Sequence, residues 1–204
     1  MKKLGRPSFL VGLTGNFGAG KSTVARFFKE KGAHVLNADR LAHEVYQKEN
    51  RFHGKLYLLF PELEGRLNRE RISKIVFQDA QKRRSLERLI HPYVFNRIRE
   101  EIKKTPKPIV ILEVPLLFES GFYRETDCNV VVKAESQTIL GRLARKGYEK
   151  TEVEARWRAQ MPLSEKIRRS DYLVDNSDGF KRTRKQVVQI WKKIERSLLE
   201  HGQR

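Results

Sequence analysis

The sequence is short of several things at once, and each shortage removes a class of function. It carries a single cysteine, Cys128. No disulfide can therefore close within the chain, and a lone thiol suits a reducing cytosol. Its five histidines are scattered, without the spacing of a zinc site or of a nucleophilic triad. Long hydrophobic runs are missing as well. The longest, Ile109 to Phe118, is interrupted by Glu113 and Pro115 and falls far below the length of a bilayer span. Two lysines stand near the amino terminus, but no apolar stretch leads to a small-residue cleavage site. A soluble cytoplasmic protein with no membrane partner is expected. The motifs Asn-Lys-x-Asp and Asp-x-x-Gly are absent, which speaks against a GTPase switch. Aromatic residues are not interleaved with the basic runs, as a stacking platform for single strands would require.

Positive charge, by contrast, is plentiful: 43 basic residues against 25 acidic ones leave a net charge of +18. Much of the excess sits in stretches of helical pattern such as Lys181 to Arg196, where it reads as a solvated face. A second reading is a cleft for polyanionic small molecules, whose approach a positive field accelerates. Nucleic-acid binding through phosphate neutralisation is the weakest of the three, and no nucleic-acid partner is expected.

The chain is organised around its beginning. Phe9 to Leu13 is a short apolar run fit for a buried strand, and Val24, Ala25, Phe27 and Phe28 recur at helical spacing shortly after. Between them Gly15-Asn16-Phe17-Gly18-Ala19-Gly20-Lys21-Ser22 spells G-x-x-x-x-G-K-S, followed by Thr23. Such a strand, glycine-rich turn and helix start aim backbone N–H groups and the positive helix end at one anion. Lys21 adds a charge that reaches β- and γ-phosphates, and the Ser22 hydroxyl is placed to ligate Mg²⁺. Gly15 through Thr23 are thus candidate nucleotide-binding residues, Lys21 also catalytic, and ATP with Mg²⁺ is the expected ligand set.

Further along, Gly32 reads as a helix C-cap and Ala33 to Ala38 as a second strand. Asp39 follows it, ahead of a helix carrying Leu41, Ala42, Val45 and Tyr46. Arg69 to Lys104 is almost wholly helical in pattern, with Pro92 expected to open a fresh helix. Ile109 to Leu112 is the clearest buried strand, Cys128 to Val132 another, and Tyr172 to Asp175 the last. Thr151 to Arg169 is basic and helical, broken at Met161-Pro162. Phe180, Val187, Trp191, Ile194 and Leu198 place one apolar stripe on a closing helix. The alternation predicts an α/β fold: a doubly wound parallel five-stranded sheet with a helical substrate-binding insertion and a helical lid. The expected division is a core of residues 7–47, 106–147 and 170–204, an insertion over roughly 48–105 and a lid over roughly 148–169, all within a single domain.

Ligands of such sheets bind beyond the carboxyl ends of the strands, which gathers the loop, Asp39 and Glu113 around one crevice. Asp39 can take a proton from a hydroxyl nucleophile, or equally cap a helix beginning at Arg40. Glu113 can hold Mg²⁺ through a water, or be a carboxylate held by backbone donors. Arg142, Arg145 and Arg156 are candidates for stacking on adenine or for neutralising the transferring phosphoryl; taken singly, each also reads as a surface charge. His91 reads first as a packed histidine at a helix junction and second as a substrate contact.

These residues together resemble one family, the dephospho-coenzyme A kinases. The likeness runs through Gly12 to Ala25, Ala38-Asp39, Arg69 to Phe77, His91-Pro92 and Pro115-Leu116-Leu117-Phe118-Glu119. It continues in Arg142-x-x-Arg145, Arg156-x-x-x-Gln160 and Asp175-Asn176. The resemblance implies transfer of the γ-phosphoryl of ATP to the 3′-hydroxyl of dephospho-CoA, with Asp39 as base and Arg142 catalytic. It further implies Arg145, Arg156 and Asn176 at the nucleotide, and Arg69, His91 and Leu117 at the acceptor. Asn37 stands where many relatives carry a further aspartate, and Glu113 where many carry Asp. ATP and dephospho-CoA are the expected partners, with a monomer favoured.

Overall fold

A computed structural model describes residues 8–46, 52–63 and 68–202. Its first strand, β1 (Phe9–Gly15), is buried along its whole length, as an apolar run covered on both faces must be. Helix α1 (Lys21–Glu30) follows the glycine turn, and its end is closed by Gly32 at φ 107°. There the Gly32 N–H bonds the Lys29 carbonyl and the Ala33 N–H bonds that of Phe28. The paired bonds define a Schellman stop, which needs a left-handed residue.

Strand β2 (His34–Asn37) leads into α2 (Ala38–His43) and a 3₁₀ turn, Glu44–Tyr46. Helix α3 (His53–Leu59), a second 3₁₀ turn (Pro61–Leu63), α4 (Arg69–Gln78) and α5 (Ala80–Lys104) come next. The chain then alternates: β3 (Ile109–Glu113), a 3₁₀ turn (Phe122–Glu125), β4 (Cys128–Lys133), α6 (Ser136–Ala144), α7 (Lys150–Ala159), α8 (Leu163–Arg168), β5 (Tyr172–Asp175) and α9 (Phe180–Gly202).

The five strands form one sheet in the order β2-β3-β1-β4-β5. β1 runs parallel to β3, with Phe9 opposite Ile109, and parallel to β4, with Val11 opposite Cys128; β5 runs parallel to β4. Two carboxylates pin this register. Asp127, just before β4, accepts the Leu10 N–H at 2.7 Å, and Asp171, just before β5, accepts the Asn129 N–H at 2.7 Å. Each satisfies a strand-end donor that the ladder would leave unpaired. Helices flank the sheet, α1 and α9 meeting where Phe28 lies beside Trp191 with ring centroids 6.4 Å apart.

Two compact units result, one built from the residues up to Leu36 and from Ile102 onward, the other from Asn37 to Glu101. Apart from Asn37, the end of β2, the elements of the second among its described residues are all helices and 3₁₀ turns. Within it Glu44 accepts from the Tyr93 hydroxyl at 2.9 Å and from Arg97 Nε at 3.1 Å, tying the turn after α2 to α5.

Two expectations need correction here. Pro92 does not open a helix; α5 passes through it without a break. Leu86, Ile90, Val94 and Ile98 are buried at four-residue spacing on both sides of it, while Pro92 itself is exposed. Burial of that stripe outweighs one lost backbone bond to Arg88. Nor does Phe180 join the buried stripe of α9. It is 62% exposed, its ring edge-on to Phe27. No helix among the described residues is long and apolar enough to cross a membrane.

Candidate active site

The glycine loop between β1 and α1 has the shape its motif demands. Gly20 precedes α1 at φ 93°, and a Cβ there would overlap the side-chain amide of Asn176. At Gly15 a Cβ would overlap the Val132 carbonyl of the neighbouring strand, so the loop leaves the sheet only as glycine. No acidic residue lies in the first turn of α1. The positive helix end is therefore left for an external anion.

Lys21 is 9% exposed. Its ammonium folds back on the loop, donating to the carbonyls of Gly15 at 3.0 Å and Asn16 at 3.1 Å. Across from it, the Ser22 hydroxyl donates to Glu113 Oε1 at 2.7 Å. Glu113 ends β3 and is buried. The parallel pairing of β1 with β3 sets this carboxylate beside the loop. A serine hydroxyl and a carboxylate are hard oxygen donors, the kind Mg²⁺ takes sparingly while its remaining positions go to water and phosphate. Among the described residues no cluster of three or more acidic, histidine or cysteine side chains forms a cage, as such a phosphate-linked ion would not need. The residues fit Mg²⁺.

Asn176, just past β5, is 2% exposed. Its Nδ2 donates to the Ala19 carbonyl at 2.9 Å, while its Oδ1 accepts from the Thr183 hydroxyl at 2.9 Å. Its backbone carbonyl accepts from Arg142 Nη2 at 2.9 Å. The side chain thus grips the underside of the loop, and Arg142 is aligned through it. Arg145, at the end of α6, is exposed and bonds the Gly141 carbonyl. Arg156 pairs with Glu152 at 2.8 Å and lies over the Phe17 ring, 4.5 Å from its centroid.

For the acceptor candidates the outcome is mixed. Asp39 sits exposed in the first turn of α2. Its alternative as a helix cap fails: α2 begins at Ala38, and Asn37 caps it, Oδ1 accepting the Arg40 N–H at 3.0 Å. His91 is half-buried, its ring stacked on Phe95 at 5.4 Å, and burial lowers its pKa from the usual 6.5. Leu117 is wholly buried, and its side chain takes the space that a Cβ on Gly12 would need; its part is packing beneath β1. Arg69 opens α4, its side chain lying outside the described residues.

The residue that reading the sequence missed is Lys166. On α8, it is fully buried, its ammonium 2.9 Å from Glu119 Oε1 and 3.0 Å from the Pro115 carbonyl. The Thr14 hydroxyl donates to the same carbonyl. A buried ammonium demands such partners. In a chain with 43 basic residues, nothing in its local pattern sets it apart.

A parallel sheet with an anion loop after its first strand, a lysine within the loop and a serine–glutamate pair beside it defines a P-loop phosphotransferase. The fold agrees: a dephospho-CoA kinase from Campylobacter jejuni superposes with a TM-score of 0.59 at 20% identity, and a shikimate kinase from Acinetobacter baumannii with 0.54 at 16%. Nearer relatives narrow the class. The family model for dephospho-CoA kinase matches residues 9–182. The chain is 37% identical over 191 residues to a dephospho-CoA kinase of Aquifex aeolicus, covering 91% of this chain and 97% of that one. To one of Thermus thermophilus it is 39% identical over 174 residues, 84% of each chain. A crystal structure of a Thermus thermophilus protein, 35% identical, superposes with a TM-score of 0.81 over 91% of this chain and 97% of that one. The chain belongs to the dephospho-CoA kinase family and is an ATP-dependent kinase.

Proposed function

We propose that the chain transfers the γ-phosphoryl of ATP to the 3′-hydroxyl of dephospho-CoA, yielding coenzyme A and ADP. The observation that carries the chemistry is the Ser22–Glu113 pair, 2.7 Å apart, at the mouth of a loop whose Lys21 is folded against it. The family membership carries the choice of acceptor.

In this reading the N–H groups of Gly18 to Thr23 take up the phosphate oxygens, and the α1 dipole favours their charge. Lys21 exchanges its two carbonyl partners for oxygens of the β- and γ-phosphates. Ser22, and Glu113 through a water, would hold Mg²⁺, which would supply positive charge against the phosphate oxygens. Asp39 takes the proton of the 3′-hydroxyl as the alcohol attacks. Arg142, aligned by the Asn176 carbonyl, meets charge on the transferring group. Arg145 and Arg156 serve the nucleotide, and Arg69 and His91 the acceptor. Residues 148–169 act as a lid that excludes competing water. That the sequence holds a single cysteine, Cys128, agrees with a reducing, cytoplasmic setting, and the enzyme is proposed to act as a monomer.

The test is an acceptor panel with ATP and Mg²⁺, reading ADP and the position of the new phosphate. Dephospho-CoA should be turned over far faster than adenosine or nucleoside monophosphates, with product phosphorylated at the 3′ position. Comparable turnover of a nucleoside monophosphate would make the chain a different P-loop kinase.

A further inference from the structure

One loop residue is gripped from outside on every side that can be gripped. The Phe17 N–H donates to Gln160 Oε1 at 3.1 Å, and the Phe17 carbonyl accepts from Trp157 Nε1 at 3.0 Å. The Phe17 ring meets Tyr148 edge-on at 5.3 Å and lies beneath the Arg156 guanidinium. All four partners come from Tyr148 to Gln160, on or beside α7 and more than a hundred residues away in sequence. Trp157 lies in the last turn of α7, and Gln160 follows the helix as its C-cap in extended conformation, its N–H bonding the Trp157 carbonyl.

Phe17 stands in the middle of the anion loop, between Asn16, whose carbonyl Lys21 holds, and Gly18. Glycine-rich loops have little to fix them from within, since the residues that allow the turn carry no side chains. Lys21 holds the carbonyls of Gly15 and Asn16 and Asn176 that of Ala19, while both peptide groups of Phe17 are held by two side chains of another element. We propose that Gln160 and Trp157 are positioning residues for ATP. They hold the Phe17 peptide groups so that the following N–H groups already converge before the nucleotide arrives, which lowers the ordering cost of binding. The end of α7 is on this view the anchored part of residues 148–169, seated against the loop before ATP arrives.

The inference rests on the ATP-binding reading but not on the identity of the acceptor, and one of its tests involves no substrate. Amide hydrogen exchange at Phe17 is measured in the unliganded full-length protein, wild type against Gln160→Met, which keeps length and removes the acceptor oxygen. Exchange should quicken by about tenfold, the worth of one hydrogen bond, and Gln160→Glu, which retains an acceptor, should keep the protection. In the second arm Gln160→Met and Trp157→Phe should each raise the KM for ATP about fivefold to tenfold. The KM for dephospho-CoA and kcat at saturating ATP should stay within about twofold. Two results overturn the proposal: wild-type exchange at Phe17 together with an unchanged KM for ATP in Gln160→Met, or equal damage to both KM values and to kcat. If Gln160→Met fails to fold, Trp157→Phe decides alone, because it keeps an aromatic ring at the position while removing the N–H donor together with the pyrrole portion. Failure of the acceptor panel would leave the exchange result standing.

Discussion

In the proposed mechanism Asp39 carries the step that is hardest to replace. Its carboxylate is exposed and has no capping duty, since Asn37 performs that. Asp39→Asn should therefore leave thermal unfolding unchanged and lower kcat by ~10²–10⁴, the range of a general base. A variant with normal turnover would remove Asp39 from the mechanism. Lys21→Ala should lower kcat by ~10²–10³, as loss of one charge-stabilising donor does, measured by ADP release in the same assay. His91 bears on stability as well. Its folded pKa lies below the unfolded value of about 6.5 because burial disfavours the imidazolium. The unfolded chain then binds more protons, so stability is full above about pH 6.5 and is lost as pH falls through the lower folded value. Melting temperature should decline below that point, and His91→Gln should flatten the decline. At this scale the sequence was legible where chemistry is contiguous, as in Gly15 to Ser22. Lys166, Gln160 and Asn176 act on residues 51, 143 and 157 positions away. Single polar pairs at such separations leave no periodic trace.

Among the elements, the strands announced themselves. The β-branched run of Ile109 to Leu112 became β3, extended by one residue to include Glu113. The break at Met161-Pro162 separates α7 from α8 as expected. The misreading of Pro92 is instructive because local preference and buried stripe disagreed, and the stripe prevailed. It leaves a testable residue of cost. Pro92→Ala restores an N–H within α5 and removes nothing buried. The gain in helix formation, partly offset by a freer unfolded chain, should stabilise the protein by about 1–2 kcal/mol. A rise of several degrees in melting temperature would register it. An unchanged or lower value would mean that α5 depends on the proline for its path.

For the molecule as a whole, the net charge of +18 is a statement about encounter. A field of that sign draws in a triphosphate and a nucleotide-bearing acceptor alike, and salt weakens it. Raising ionic strength from ~0.01 M to ~0.15 M shortens the Debye length from ~30 Å to ~8 Å. kcat/KM for ATP should fall severalfold across that range while kcat holds. A kcat/KM indifferent to salt would assign the charge to solvated helix faces alone. Composition shows that charge but not its placement, and the strand order, which decides what surrounds the loop, is equally invisible to it.

That strand order has a consequence for how the protein is made. β1 leaves the ribosome first yet lies at the centre of the sheet, between partners that begin at Ile109 and Cys128. The amide that braces its loop arrives only with Asn176. A nascent chain must therefore carry β1 unpaired until β3 has emerged, and its loop gains this brace only once Asn176 has followed. In a series of stalled chains of increasing length, ATP retention should appear abruptly once residues past Thr183 have emerged, and shorter products should gain no protection from it.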